Sequence, residues 1–79
     1  MNPEEIKNLL VEALADCEFQ VEGDGRHFNI VAIGDLFDGL RPVQRQQAIY
    51  KVLNSQIADG AIHAVNMKIF TRFEWQARG

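Results

Sequence analysis

The sequence predicts a two-layer α+β fold of order αββααβ, in which a three-stranded mixed sheet carries helices on one face. Three observations predict it. A punctuated amphipathic helix opens the chain, two alternating runs joined by a glycine-rich turn follow, and a long helix leads into one more alternating run. The two neighbouring runs make an antiparallel hairpin. A right-handed crossover through the helices returns the last run parallel to the second. Such a sheet buries one face beneath its helices.

The elements follow in order. Asn2 stands where a helix cap belongs, Pro3 suits the first helical position and Glu5 is the capping-box acid. Glu4 and Glu5 also complement the positive end of the helix dipole. Ile6, Leu9, Leu10, Ala13 and Leu14 form one apolar stripe, and the helix is expected to end near Asp16. Phe19 and Val21 then alternate with Glu18, Gln20 and Glu22. The turn Gly23-Asp24-Gly25 opens a hairpin loop that runs to His27. The return run Phe28-Asn29-Ile30-Val31-Ala32-Ile33 is richer in apolar residues, as expected of a central strand covered on both faces or nearly so.

Asp35 caps a short turn carrying Leu36 and Phe37, which Gly39 ends. Pro42 opens the long helix. Its expected inner stripe is Gln46, Ile49, Tyr50, Leu53 and Ile57, and Asp59-Gly60 stops it. In the last strand Val65, Met67 and Ile69 alternate with Asn66 and Lys68, and His63 takes its first position on the apolar parity. Thr71 and Glu74 have the spacing of a further capping box. Tyr50, Phe73 and Trp75 are expected in the core or at its edge, and Cys17 as a small buried residue.

Seventy-nine residues allow one domain, 1–79. The composition, 47% hydrophobic and 24% charged, is that of a globular chain rather than a disordered one. A single cysteine excludes an intramolecular disulfide. The acidic start lacks a basic segment followed by an apolar one, and no apolar run approaches the roughly 18 residues of a membrane span, so a cytoplasmic location is expected. The net charge of −3 argues against general affinity for nucleic acid, although a local basic patch overrides a total.

The chemistry-bearing residues are few: His27, His63 and Cys17. A closed zinc site takes about four ligands, commonly in Cys-x-x-Cys pairs, and that spacing is absent. An iron–sulfur cluster also takes four protein or thiol ligands, and histidine can replace cysteine on one iron. Two histidines can supply half of a cluster site and would need a partner for the rest, while carboxylates could complete a looser metal site. By periodicity alone, a hydrogen-bonded structural role is commoner for His63, and a solvated loop position for His27. Arg41, Arg45, Lys51 and Lys68 form a modest basic set, for which a solvated charged face is the commoner reading. No glycine-rich phosphate loop, Ser/His/Asp set or HExxH is present, so an enzyme is not expected.

Five stretches, taken together and in order, resemble the BolA-like family over nearly the whole chain. They are Gly23-Asp24-Gly25-Arg26-His27-Phe28, Gly34-Asp35-Leu36-Phe37-Asp38-Gly39, Gln46-Gln47 with Tyr50, Ile57 through Val65, and Glu74-Trp75. Arg45-Gln46, where many members have Arg-His, is similar to the bacterial IbaG branch. Arg72-Phe73 departs from the proline usual before the final acidic-Trp pair.

The resemblance implies a type II KH-like topology and a non-enzymatic adaptor that pairs with a monothiol glutaredoxin. The two would share a 2Fe–2S cluster, with glutathione supplied through the partner. It implies His63 as one ligand and His27, from the hairpin loop, as another. It further implies a role in iron–sulfur trafficking or regulation and in stress or acid response. Alone, the chain is expected to be metal-free, and a monomer or weak homodimer. The alternative is a transcriptional regulator that binds nucleic acid weakly through Arg41, Arg45, Lys51 and Lys68. The stretch that would have to act as a KH clamp, Gly39-Leu40-Arg41-Pro42, lacks the second glycine, and its proline removes a backbone donor.

Overall fold

Local capping decides where the first helix begins. In the computed structural model, which describes residues 1–78, Asn2 Oδ1 accepts the Glu5 N–H at 2.8 Å and Glu5 Oε1 accepts the Asn2 N–H at 3.2 Å. This reciprocal box starts α1 (Pro3–Ala13), whose Ile6 and Leu10 are fully buried. The helix stops short of Asp16. Leu14 N–H still reaches the Leu10 carbonyl, but Cys17 N–H bonds the Leu14 carbonyl and turns the chain inward.

Strands β1 (Glu18–Gly23) and β2 (His27–Ile33) pair antiparallel from Glu18 opposite Ile33 to Gly23 opposite Phe28. A 3₁₀ turn (Asp35–Phe37) and α2 (Pro42–Ala58) cross over to β3 (Ala64–Phe70), and α3 (Arg72–Ala77) closes the order. β3 lies parallel to β2, with His27 opposite Ala64 and Ile33 opposite Phe70, so the sheet order is β1-β2-β3. The expected mixed three-stranded sheet is therefore present.

Strand alternation divides the sheet into two unlike faces. Phe19, Phe28, Ile30 and Ala32 are buried against Ile6 and Leu10 of α1 and Ile49 and Leu53 of α2, with Val21, Val65, Met67 and Ile69 packed at the margin. The opposite face carries Gln20, Glu22, Asn29, Asn66 and Lys68, and Asn66 Nδ2 donates to Asn29 Oδ1 across it at 3.2 Å. β2 is central but is not covered on both faces. Asn29 is exposed and Val31 half-buried, because α1 and α2 share one side.

Two expectations about aromatics also change. The buried stripe of α2 is narrower than its periodicity, since Gln46 is exposed and Tyr50 is 42% exposed. These two side chains border a groove of about 550 Å³ beside Val65 and Met67. Phe73 is 79% exposed, because α3 turns Trp75 rather than Phe73 inward, edge-on to Phe70 with ring centroids 5.4 Å apart. Among the described residues no helix is long and apolar enough to cross a membrane.

Candidate metal-ligand site

The hairpin loop is organised by one carboxylate. Asp24 Oδ1 accepts the N–H groups of both Arg26 and His27 at 2.9 Å, and Asp24 N–H reaches the His27 carbonyl at 3.3 Å. This is the Asx turn that Asp followed by Gly favours. Gly25 adopts φ +99°, which a side chain would resist. A Cβ on Gly23 would overlap the His27 carbonyl oxygen, so that close approach also requires glycine. The other carboxylate oxygen, Oδ2, lies 3.5 Å from His27 Nδ1. The backbone N–H groups of His27 and Arg26 stabilise the ionised form and hold the Asp24 carboxyl down to about 2.

The second half of the site comes from the approach to β3. Gly60 has φ +84°, and Asp59 Oδ1 accepts the Ala61 N–H at 3.0 Å. Ile62 is buried, and its N–H bonds the Gln56 carbonyl at 3.1 Å. The next two N–H groups, of His63 and Ala64, both donate to the Arg26 carbonyl, at 3.0 and 3.2 Å. That shared carbonyl joins the β3 approach to the hairpin loop. His63 accordingly sits one residue before β3 rather than in its first position, so strand alternation does not dictate its direction. Its side chain is exposed and makes no hydrogen bond among the described residues.

The register brings the two histidines together. His27 opposes Ala64, the residue after His63, on strands spaced about 4.8 Å. Both imidazoles are exposed at the same end of the sheet. No group of three His, Cys, Asp or Glu side chains able to hold a metal occurs among the described residues. Cys17 is at the other end, next to the pairing of Glu18 with Ile33; it is buried, and burial raises its thiol pKa. Sequence reasoning read Asp24 as a turn residue only. Its reach to His27 depends on loop geometry, and the Asp-Gly pair was the only signal.

The basic residues are dispersed. Arg45 is engaged: its side chain is 16% exposed, pairs with Glu74 Oε1 at 2.7 Å, and donates to the carbonyls of Leu40 at 3.0 Å and Ile69 at 3.3 Å. Arg41 precedes α2, Lys51 lies near its middle, and Lys68 is on the sheet face opposite the one α2 covers. Arg41 and Lys51 thus belong to the α2 segment and Lys68 to β3.

Residues 7–74 match the model of the BolA-like protein family. The chain belongs to the BolA-like family. It is 47% identical over 75 residues to the acid stress protein IbaG of Escherichia coli K12, covering 95% of this chain and 89% of that protein. It is 34% identical over 70 residues to the DNA-binding transcriptional regulator BolA of Haemophilus influenzae, covering 89% of this chain and 67% of that one. Its fold superimposes on a BolA homologue from Coxiella burnetii with a TM-score of 0.86 and 28% identity, over 96% of this chain and 97% of that chain. The BolA-like α+β architecture thus agrees with the order and pairing read from the sequence.

Proposed function

We propose that this BolA-like chain is a cytoplasmic, non-enzymatic adaptor that pairs with a monothiol glutaredoxin and shares a 2Fe–2S cluster with it. His63 and His27 are the ligands this chain offers, and the partner brings a cysteine and the thiol of bound glutathione. One observation carries the reading. Two exposed imidazoles stand at adjacent strand entrances, and among the described residues no group of three His, Cys, Asp or Glu side chains able to hold a metal completes the set. Two neutral nitrogen donors fit one iron of a cluster whose other iron takes sulfur ligands. When bound, the cluster supplies electron transfer or a transferable iron–sulfur unit. The chain itself presents the nitrogens where β2 begins and one residue before β3, on exposed side chains. The similarity to the E. coli acid stress protein supports a place in acid or stress response.

Anaerobic reconstitution of this chain with a monothiol glutaredoxin tests the proposal. A brown one-to-one complex is expected, and His63→Ala is expected to alter its visible absorption and circular dichroism. An unchanged spectrum overturns the ligand assignment.

The relationship to the H. influenzae regulator favours a second reading, binding to DNA. Such binding would weaken steeply with salt if several phosphates were contacted. The engagement of Arg45 by Glu74 and the placement of Lys68 on the opposite face leave few cations for that task.

A further inference from the structure

We infer that Asp24 is a positioning residue for His27, fixing its tautomer so that Nε2 carries the free lone pair. The inference rests on the proposed role of His27 as a ligand and adds the group that prepares it. A neutral imidazole has one N–H and one lone pair, and the hydrogen bond made by one nitrogen decides which nitrogen is free to bind a metal. Metal-binding histidines commonly give the other N–H to a carboxylate, which orients the ring and raises its basicity.

The geometry here has that form. Asp24 Oδ1 is held by two backbone N–H donors, those of Arg26 and His27, both at 2.9 Å. The carboxylate therefore cannot rotate freely, and its second oxygen is aimed at the imidazole. Oδ2 lies 3.5 Å from Nδ1, an ion-pair distance longer than an ordinary hydrogen bond, and both side chains are exposed. An ionised carboxylate only accepts, so a hydrogen bond between the two requires the proton on Nδ1. Nε2, at the far corner of the ring, is left with its lone pair. His63 has no such carboxylate partner among the described residues, so the two histidines are prepared differently.

Asp24→Asn separates positioning from turn structure. Two backbone donors require an oxygen, so the asparagine Oδ1 keeps the turn and its NH₂ group, a donor, takes the place of Oδ2. The polarity toward His27 is thereby inverted, and the favoured proton moves to Nε2. Long-range ¹H–¹⁵N spectra of the free, full-length chain, recorded well above the ordinary histidine pKa, read the tautomer directly. The wild type is expected to show His27 mainly as Nδ1–H, and Asp24→Asn mainly as Nε2–H, with the Arg26 and His27 amide signals retained. In the complex with glutaredoxin, Asp24→Asn is expected to weaken cluster retention by roughly 10–100-fold. An Nε2–H majority in the wild type, or the same tautomer in both proteins, overturns the inference. The ligand reading fails separately, if His27→Ala leaves the spectrum of the loaded complex unchanged.

Discussion

The two ends of the sheet are built by opposite means. At the end where β2 and β3 begin, the bonds are local and every donor is a backbone N–H: two reach the Asp24 carboxylate in the Asx turn and two share the Arg26 carbonyl. At the end where they finish, side chains do the holding. Arg45 clamps Glu74 and two carbonyls, and Thr71 and Glu74 close a capping box, while Arg72 donates to the Asp16 carbonyl at 2.7 Å. The bonds at the first end do not use the His27 and His63 imidazoles, which are exposed. At the other end long-range side-chain bonds, from Arg45 to Glu74 and from Arg72 to the Asp16 carbonyl, tie distant segments together. If the proposed ligands lie at the first end, stability and recognition are placed apart, and substitutions should separate them.

The largest effect on stability is expected at the closed end. Gly34 is buried with extended backbone, so its lack of a side chain matters only for space. A Cβ there would overlap Cys17 Sγ and lie 3.1 Å from Cys17 Cβ. Gly34→Ala should destabilise by about 1–3 kcal/mol in urea unfolding, the usual range for overpacking. Cys17→Ala in the same chain should recover part of that loss, because it removes the overlapping sulfur. Additive losses in the double variant would show that the strain lies elsewhere.

A smaller effect follows from the Arg45 clamp. Its guanidinium, and next the Thr71 N–H, hold the Glu74 carboxyl down to about 2 from an ordinary 4.5. A carboxylate lowered on folding stabilises above its unfolded pKa, and that contribution fades as pH falls through the folded one. Stability should therefore decline between about pH 4.5 and 2. Arg45→Gln should flatten this acid limb without abolishing it, since Asp24 is also lowered to about 2 and remains. An acid limb of the same steepness in Arg45→Gln would mean that the clamp contributes nothing. Screening of the half-exposed Glu74 makes this effect smaller than that at Gly34.

What the sequence made legible follows the same division. The boxes at Asn2/Glu5 and Thr71/Glu74 were readable because a cap and its partner are three residues apart. The sheet order was readable because chain handedness limits the crossover. Long-range choices were not. Nothing near Arg45 announces a carboxylate 29 residues away, and nothing in α3 says that Trp75 rather than Phe73 meets Phe70. His63 falls one residue outside the strand that alternation predicts, where its N–H bonds the carbonyl of Arg26 in the hairpin loop, a long-range contact that local sequence does not announce. The two histidines were singled out from residue type and family likeness; their shared end became visible only with the parallel register.

The smallest stability effect is expected where the functional effect is greatest. His27 and His63 are exposed, and what ties their segments to the frame is backbone N–H, which alanine retains. His63→Ala should change unfolding free energy by no more than about 0.5 kcal/mol, as surface substitutions usually do. His27→Ala loses only its 3.5 Å approach to Asp24, a contact between exposed groups, and should be equally mild. Urea unfolding of the free chains checks both, beside the spectrum of the glutaredoxin mixture. If His63→Ala instead unfolds at much lower urea, its imidazole is carrying structure, and loss of a cluster in that variant would say nothing about ligation. Near-wild-type stability with an altered cluster spectrum leaves the imidazole nitrogen as the group whose removal matters, and puts the working end of the molecule where its side chains are least needed for folding.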